Sequence, residues 1–249
     1  APAPEPAQGT PGAGTVRLLS VDPPERAQIG EAVDYRFTVE NPSDEPRAIE
    51  PTVSARWDGS GWAEHERWEP VELSPDGRHT FESSPFTSQY LSTVVLRIDG
   101  FGPTFSAEFT EKRLQTTAEY RDPLDREVTV DDLSLQSIYE YESGGYRRVV
   151  ELPADEQFVF ATVDVVNRTD EPVAAPARAE FSLLDGERSY LPIRMPGDGD
   201  YEAGEIPWGA RTGGRIAYKA PATLSRGDLQ VGWRASFAEG DVGVIWTPD

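Results

Sequence analysis

The sequence predicts an all-β protein built from two antiparallel β-sandwiches in tandem, which follow a disordered N-terminal tether. Three observations support this prediction: short segments that alternate apolar and polar residues, turn residues between them, and one motif that occurs twice. Glycine and proline occur 22 times each, and both destabilise the interior of a helix. Short strands separated by turns roughly every 8–12 residues are typical of sandwich folds.

Residues 1–14 form a segment rich in proline, alanine and glycine at the start of the chain. A segment of this composition cannot bury a hydrophobic core and behaves as a linker. We expect a tether like those at the start of mature lipoproteins and wall-anchored proteins. The chain opens without the basic and hydrophobic regions of a signal peptide, so we expect any lipid anchor to lie in residues that precede Ala1.

An internal repeat organises the rest of the chain. Residues 39–48 read VENPSDEPRA and residues 165–174 read VVNRTDEPVA, with six of ten positions identical at an offset of 126. Each copy follows an alternating segment, which is typical of a half-buried strand, and Asn, Ser or Thr, Asp and Pro then form a turn. We therefore predict two copies of one β-module, 15–112 and 113–249; two unrelated turns of similar sequence are the alternative.

The strand predictions follow from alternation, apolar runs and the turn signals between them. Dipeptides such as Asp76-Gly77 and Gly144-Gly145 mark tight turns, because these turns need positive φ. No segment has a helical period, and we expect the module boundary within 112–124, where alternation is lost. The predicted strands are 15–21, 33–40, 52–57, 68–73, 78–82, 93–98 and 104–111 in the first module, and 127–139, 146–151, 157–166, 177–184, 189–194, 212–219, 228–237 and 242–246 in the second.

Trp57 indicates that the sandwiches are immunoglobulin-like. It ends the alternating run after the first repeat motif, in phase with Val53 and Ala55, and a buried tryptophan on the third strand is a hallmark of that fold. Leu183 occupies the matching position in the second module. The chain has no cysteine, so the disulfide that usually accompanies this tryptophan is absent.

The first module resembles the cell-adhesion-related immunoglobulin-like domains of bacteria and archaea. The resemblance lies in the segment PERAQIGEAVDYRFTVENPSDEP, where Gly30 and Val33 match a Gly-x-x-Val motif and Val39 and Asn41 match Val-x-Asn. These motifs encode strand and turn geometry rather than chemistry. The resemblance implies an immunoglobulin-like fold and an extracellular location, and it implies no catalytic residues.

The second module resembles the telokin-like, immunoglobulin-like domains of secreted proteins and lipoproteins. The matching features are Asn167, the Pro-x-Gly at Pro207–Gly209, Gly214, and the Ala-Pro that closes a strand at Ala220–Pro221. Together the two resemblances cover most of 20–249. They imply a protein that acts outside the cell or at its surface.

The composition excludes several classes of function. The 44 acidic and 23 basic residues give a net charge of -21, which would repel nucleic acid, and the absence of cysteine excludes thiolate metal sites and thiol catalysis. No stretch approaches the roughly 20 apolar residues of a membrane span. Lysine occurs only at Lys112 and Lys219. Acid excess with so little lysine resembles proteins of salt-loving archaea; an acidic secreted protein from an ordinary high-GC organism is the alternative.

Trp62 and Trp68 are the candidates for a glycan or partner surface. Trp62 follows the turn residues DGSG, where burial is hard to arrange, and Trp68 is out of phase with Val71 and Leu73. Exposed indole rings stack on sugars and on partner proteins. In the competing interpretation the hairpin folds back and buries both rings.

The segment PGDGDYE is the candidate cation site. Asp198, Asp200 and Glu202 occupy alternate positions, and calcium needs several oxygen ligands from one loop. The spacing differs from that of an EF-hand, so a charged mobile loop is the alternative. A structural calcium ion is the one cofactor that we consider, and we expect no other metal.

Asn167 is the candidate N-glycosylation site, because Asn167-Arg168-Thr169 is an acceptor sequence in a predicted turn. Its repeat counterpart at Asn41 is blocked by Pro42. A glycan here would be consistent with a secreted glycoprotein, although so short a sequence also arises by chance.

We expect no enzyme. The two histidines, His65 and His79, stand beside turn signals, and no nucleophile elbow is present. The leading hypothesis is a non-catalytic secreted or cell-surface interaction or structural protein of a halophile, which binds an envelope or extracellular protein or glycan. The alternative is a carbohydrate-binding or accessory module of a secreted hydrolase system, and a third hypothesis is an enzyme that uses His79.

Overall fold

The computed structural model of the protein describes residues 15–23, 26–58, 60–186, 188–197 and 199–248. Strands dominate, and the helices within these ranges are two single 3-10 turns, Arg178–Glu180 and Arg226–Asp228. The all-β prediction is therefore confirmed. The predicted tether, 1–14, lies outside the described residues. The rest forms two compact units, of which the first ends at Thr110 and the second begins at Glu111.

The first unit consists of two main sheets and a short extra pair of strands. A three-stranded sheet has the order β1-β3-β8, a five-stranded sheet has the order β2-β10-β9-β5-β6, and β4 pairs with β7. Within the five-stranded sheet β2 runs parallel to β10, whereas the other pairs are antiparallel. The strands are β1 (Arg17–Asp22), β2 (Arg26–Gln28), β3 (Arg36–Glu40), β4 (Arg47–Ile49), β5 (Thr52–Trp57), β6 (Ala63–Arg67), β7 (Val71–Leu73), β8 (Arg78–Glu82), β9 (Ser92–Ile98) and β10 (Thr104–Thr110).

The core of the first unit lies between its two main sheets. Along β9, Val94, Leu96 and Ile98 are fully buried and alternate with residues that face outward. They lie opposite the inward residues of β5, which include Val53 and Ala55. This order of strands, with sequence neighbours distributed between two sheets, is the arrangement of an immunoglobulin-like sandwich.

The second unit repeats this plan and adds further strands. Its sheets have the orders β11-β23-β22-β18-β19 and β12-β13-β16-β21, β14 pairs only with β15, and β17 pairs with β20. Again one edge strand is parallel, because β11 runs alongside β23. The strands are β11 (Lys112–Gln115), β12 (Glu119–Arg121), β13 (Arg126–Gln136), β14 (Ile138–Ser143), β15 (Tyr146–Glu151), β16 (Glu156–Asn167), β17 (Val173–Ala174), β18 (Phe181–Leu184), β19 (Ser189–Tyr190), β20 (Glu205–Ile206), β21 (Arg211–Pro221), β22 (Gln230–Phe237) and β23 (Gly240–Thr247).

Strand β16 is buried on both faces at its start. Val159 and Ala161 belong to the core between the sheets, whereas Phe158 and Phe160 point to the opposite face and are also buried. The hairpin β14–β15 covers that opposite face, where Tyr139 packs with the two phenylalanines in a second apolar cluster. A run of apolar residues without alternation is what burial on both faces requires.

The repeat motif builds a corner in the first unit around the side chain of Asn41. Its Nδ2 donates hydrogen bonds to the carbonyl oxygens of Glu45, Leu73 and Ser74 at 2.8, 3.1 and 3.2 Å. Its Oδ1 accepts hydrogen bonds from the backbone N–H and the hydroxyl of Ser43 at 3.1 and 2.6 Å. The predicted turn is confirmed, and the asparagine joins it to the chain more than thirty residues away.

The second unit has the same corner around Asn167. Its Nδ2 donates to the carbonyl oxygens of Glu171, Ile206 and Pro207 at 2.7, 2.9 and 3.2 Å. Its Oδ1 accepts from the backbone N–H and the hydroxyl of Thr169 at 2.9 and 2.8 Å. Corresponding residues therefore make corresponding bonds, so we call each of these turns the asparagine corner of its unit.

Several details differ from the sequence-based expectations. Trp57 is half-buried rather than fully buried, because it ends β5, where its ring stacks on Phe109 with 6.1 Å between centroids. The predicted strand 127–139 is interrupted at Ser137, where the chain leaves the main sheet to begin the hairpin. Lys112, which we assigned to the first module, begins β11 and pairs with β23 of the second unit.

Candidate functional site

Trp68 is half-buried, and its ring packs against the body of the first unit. Its ring meets the ring of Phe37 edge-on, with 5.3 Å between centroids, and also contacts Phe81 and Tyr35. Its indole N–H donates a hydrogen bond to the carbonyl oxygen of Glu82 at 3.1 Å. The indole is half-buried, as that of Trp62 is, and its role in a glycan or partner surface stays a prediction. The residue follows β6 rather than lying within a strand, so strand phase does not govern its direction.

Trp62 remains half-exposed and lies against two arginines. The guanidinium carbons of Arg56 and Arg97 are 5.0 and 4.4 Å from its ring centroid, which is within the range of cation–π attraction. Both arginines project from the outer face of the five-stranded sheet, since their neighbours in β5 and β9 fill the core. The structure therefore separates Trp62 from Trp68 and gives Trp62 cationic neighbours.

The candidate cation loop is held by an arginine. Asp198 lies outside the described residues. The Asp200 carboxylate accepts hydrogen bonds from the guanidinium of Arg178 at 3.0 Å and from the Met195 N–H at 3.3 Å, and Glu202 is exposed. Because a guanidinium already neutralises Asp200, this carboxylate stabilises the loop. No cluster of three or more metal-ligating side chains occurs in the part of the chain that the structure describes.

Asn167 is unsuited to carry a glycan in the folded chain. Its side chain is completely buried, and Nδ2, the atom to which a glycan is attached, donates the three hydrogen bonds of the asparagine corner. A sugar on this nitrogen would break those bonds and would need space that the core does not offer. The acceptor sequence is therefore accounted for by turn geometry.

The two histidines lie on strands of different sheets. His65, on β6, packs against the ring of Phe86 with 4.9 Å between centroids, and burial lowers its pKa. His79, on β8, packs against Phe81 with 4.5 Å between centroids. Near His65, the Tyr35 hydroxyl donates to Glu66 at 3.4 Å, and burial raises the pKa of Tyr35. Each imidazole thus packs against an aromatic ring.

Acidic residues that are close together in the sequence occur on β13, at Asp131 and Asp132, and on β6, at Glu64 and Glu66. Asp131 is the extra residue of a bulge in β13, and Asp132 next to it forms an ion pair with Arg226 at 3.3 Å. Burial and a hydrogen bond to Asp164 raise the pKa of Asp131. Glu64 pairs with Arg67 at 2.7 Å. Asp132 and Glu64 therefore form ion pairs on the surface.

The hairpin β14–β15 comprises residues 138–151, and we call it the wing. The sequence analysis predicted its second strand and its turn, but it did not predict the first strand or an exposed apolar surface. Three of its apolar side chains are exposed: Tyr146 is 70% exposed, Val149 56% and Ile138 42%. In the chain the wing lies between β13 and β16, and the corresponding strands of the first unit are β1 and β3. Among the described residues, only the short strand β2 lies between β1 and β3, so the wing has no counterpart there. The sequence signals of a hairpin at this place were the Gly144-Gly145 turn and the alternation in 146–151, and both glycines have positive φ.

The inner face of the wing is anchored to the second unit. The Tyr139 hydroxyl donates a hydrogen bond to the carbonyl oxygen of Pro196 at 3.0 Å, and its ring stacks with Tyr141, with 6.0 Å between centroids. Val150 and Leu152 pack against the same apolar cluster. The wing is therefore a fixed surface, which presents its outer face and its tip.

Trp208 is a further strongly exposed aromatic residue, and it lies outside the wing. It is 71% exposed at the centre of a tight turn in which the Ala210 N–H donates to Pro207 at 3.1 Å. In the first unit the corresponding turn, between Ser74 and Gly77, has Pro75 at this position. The same turn thus forms without a tryptophan.

No helix among the described residues is long and apolar enough to cross a membrane. No known protein family and no curated protein matches the chain, so the resemblances of the two modules to known families stay predictions.

Three solved structures are similar to about half of the chain. The yjhA protein from Bacillus subtilis has a TM-score of 0.42 and 12% identity, over 55% of this chain and 99% of that one. An uncharacterized β-sandwich protein from Clostridium difficile 630 has a TM-score of 0.37 and 9% identity, over 55% of this chain and 94% of that one. The secreted protein MPT63 from Mycobacterium tuberculosis has a TM-score of 0.39 and 18% identity, over 56% of this chain and 98% of that one. At these TM-scores and identities the similarities carry no argument about function.

Proposed function

We propose that this chain is a non-catalytic interaction protein, secreted or held at the cell surface, which binds an extracellular partner through the wing. The observation that carries the proposal is the exposure of Tyr146, Val149 and Ile138 on a fixed hairpin. Exposed apolar side chains grouped on one element indicate a contact surface, whereas scattered ones need no explanation. The described residues of the first unit form their sandwich without such a hairpin, so the wing is an addition to the basic fold.

The finer points of the proposal rest on composition. A net charge of -21 with 21 arginines and two lysines supports a salt-loving source organism, since concentrated salt screens the repulsion among carboxylates. The proline- and alanine-rich start supports a tethered, envelope-associated protein. An envelope protein is then the partner that we propose.

Binding to envelopes tests the proposal. The purified chain is added to envelope preparations of the organism that encodes it, and the bound fraction is measured against concentration. We expect saturable binding that weakens at least about tenfold, or 1.4 kcal/mol, in the variant Tyr146→Ser/Val149→Ser. The control is Trp208→Ser, which removes an equally exposed aromatic side chain from the turn before β21, outside the wing. Binding that is absent, or equal in the wing variant, contradicts the proposal.

A second candidate function is carbohydrate binding, as part of a secreted hydrolase system, and Trp62 supports it. An indole ring offers a sugar a stacking surface, and the guanidinium groups of Arg56 and Arg97 beside it offer hydrogen-bond donors. Glycan-array binding that is lost in Trp62→Ala and kept in Trp208→Ala is the expected result. An array without any bound glycan removes this candidate.

A further inference from the structure

The outer face of the wing combines apolar and acidic side chains. Alternation along β14 and β15 places Ile138 opposite Glu151 and Val149 opposite Glu140. Arg147 forms an ion pair with Glu140, so this carboxylate is neutralised. The remaining acidic groups on this face lie beside two exposed apolar side chains.

The base of the wing forms one side of an open groove with a volume of about 470 Å³. Leu135 and Leu152 contribute apolar surface to the groove, and the carboxylates of Glu151 and Glu156 contribute charge. Gln157 also lines it and is held by hydrogen bonds from its Nε2 to two backbone carbonyl oxygens, at 2.7 and 3.0 Å. Because Glu151 belongs both to the groove and to the outer face, the two surfaces are continuous.

The two glutamates of the groove are not neutralised within the described residues. Neither Glu151 nor Glu156 forms an ion pair there, whereas Glu140, Glu127 and Glu111 each pair with an arginine. Two carboxylates beside apolar surface are suited to a lysine or arginine side chain, whose alkyl part contacts the leucines while its charged end reaches the carboxylates. A neutral or acidic ligand would leave both charges without a counterion.

We propose that the outer face of the wing and the groove at its base dock a basic, amphipathic segment of a partner protein. This inference rests on the proposed function and adds the chemistry of the partner. Apolar side chains of the segment cover Ile138 and Val149, and a lysine or arginine enters the groove between Glu151 and Glu156. The negative charge of the whole chain attracts such a segment from a distance at low salt.

Salt changes the balance of these contributions. At about 1 M salt the Debye length is about 3 Å, so long-range attraction is screened. Ion pairs in direct contact and the apolar contacts then provide the binding. We therefore expect the affinity to fall with salt to a plateau rather than to vanish.

Synthetic peptides test the proposed chemistry. The probes are a peptide that alternates lysine and leucine, its glutamate–leucine counterpart and an oligolysine, each with a fluorescent label, and the Kd is measured by anisotropy. We expect the lysine–leucine peptide to bind best. Its Kd should rise about tenfold, or 1.4 kcal/mol, in Glu151→Gln/Glu156→Gln, and Val149→Ser should weaken this peptide while leaving oligolysine binding unchanged.

The control separates local recognition from diffuse attraction. The double variant Glu202→Gln/Glu205→Gln removes the same charge from exposed positions of the same unit, and it should change the Kd less than twofold. An equal effect of both double variants overturns the proposal, as does equal binding of the glutamate–leucine peptide. If no peptide binds but envelope binding still depends on the wing, the partner chemistry is wrong and the proposed function stands. Thermal midpoints confirm that the variants are folded.

Discussion

The asparagine corner of the second unit allows a quantitative prediction, because one buried side chain makes all of its contacts. In Asn167→Ala the carbonyl oxygens of Glu171, Ile206 and Pro207 lose their donor. The three oxygens share the two hydrogens of Nδ2, and each hydrogen bond contributes about 1 kcal/mol net, so these contacts contribute about 2 kcal/mol. Losing the two bonds accepted from Thr169 frees the turn and adds to this loss.

The expected result is a lower thermal midpoint for the second unit. A change of 1 kcal/mol shifts the midpoint of a domain this size by roughly 2–4 °C, so Asn167→Ala should lower it by roughly 4–8 °C. Asn167→Asp should lower it further, although it keeps the size of the side chain, because a carboxylate oxygen would then face three carbonyl oxygens. A carboxylate that is buried without a partner costs more than a missing hydrogen bond.

Differential scanning calorimetry of the full chain measures both changes. Asn41→Ala is the matched variant, because Asn41 makes the same set of bonds in the first unit. If the units unfold in separate transitions, each variant should move a different one. A shift below about 2 °C for Asn167→Ala, which corresponds to less than 1 kcal/mol, or an aspartate variant more stable than the alanine variant, would refute the reasoning.

Two further predictions concern charge. The thermal midpoint should rise by several degrees, on the order of 5–10 °C, between dilute buffer and molar NaCl or KCl. The reason is that the Debye length falls to about 3 Å, which screens the repulsion within a chain of net charge -21. A midpoint that does not change with salt contradicts a salt-adapted surface. Asp131→Asn should raise the midpoint at pH 7 by up to about 3 °C. Burial and Asp164 raise the pKa of Asp131, so ionisation of Asp131 destabilises the folded chain above that pKa. The difference in midpoint between the variant and the parent protein should therefore disappear as the pH is lowered to about 3, where Asp131 is protonated.

The fold was largely predictable because its signals are local. Alternation in 33–40, 93–98 and 157–166 predicted strands that the structure contains, since the period of two follows from backbone geometry. Most of the strands that were not predicted, such as β4, β17 and β20, are two or three residues long, whereas β6, β11 and β14, which were also missed, have five, four and six residues. A segment of two or three residues has no period to detect.

The candidate site residues were less predictable because their roles depend on distant partners. Trp68 finds Phe37 and Phe81 across the chain, and Asp200 finds Arg178. Asn167 has an acceptor sequence for a glycan, but whether its amide is accessible depends on carbonyl groups some 40 residues later. None of these partners can be inferred from the neighbouring sequence.

The sequence by itself determined the strand-rich architecture, the tandem repeat and the turn chemistry, because each follows from side-chain alternation and local hydrogen bonding. Only the tertiary structure decided which side chains stay in water. The wing illustrates the reason: Phe158 and Phe160 are buried because the hairpin that precedes β16 folds back over them, and that same packing leaves Val149 and Tyr146 exposed. Burial is a property of the layers that meet in space, and the order of residues along one strand does not specify which layer covers it.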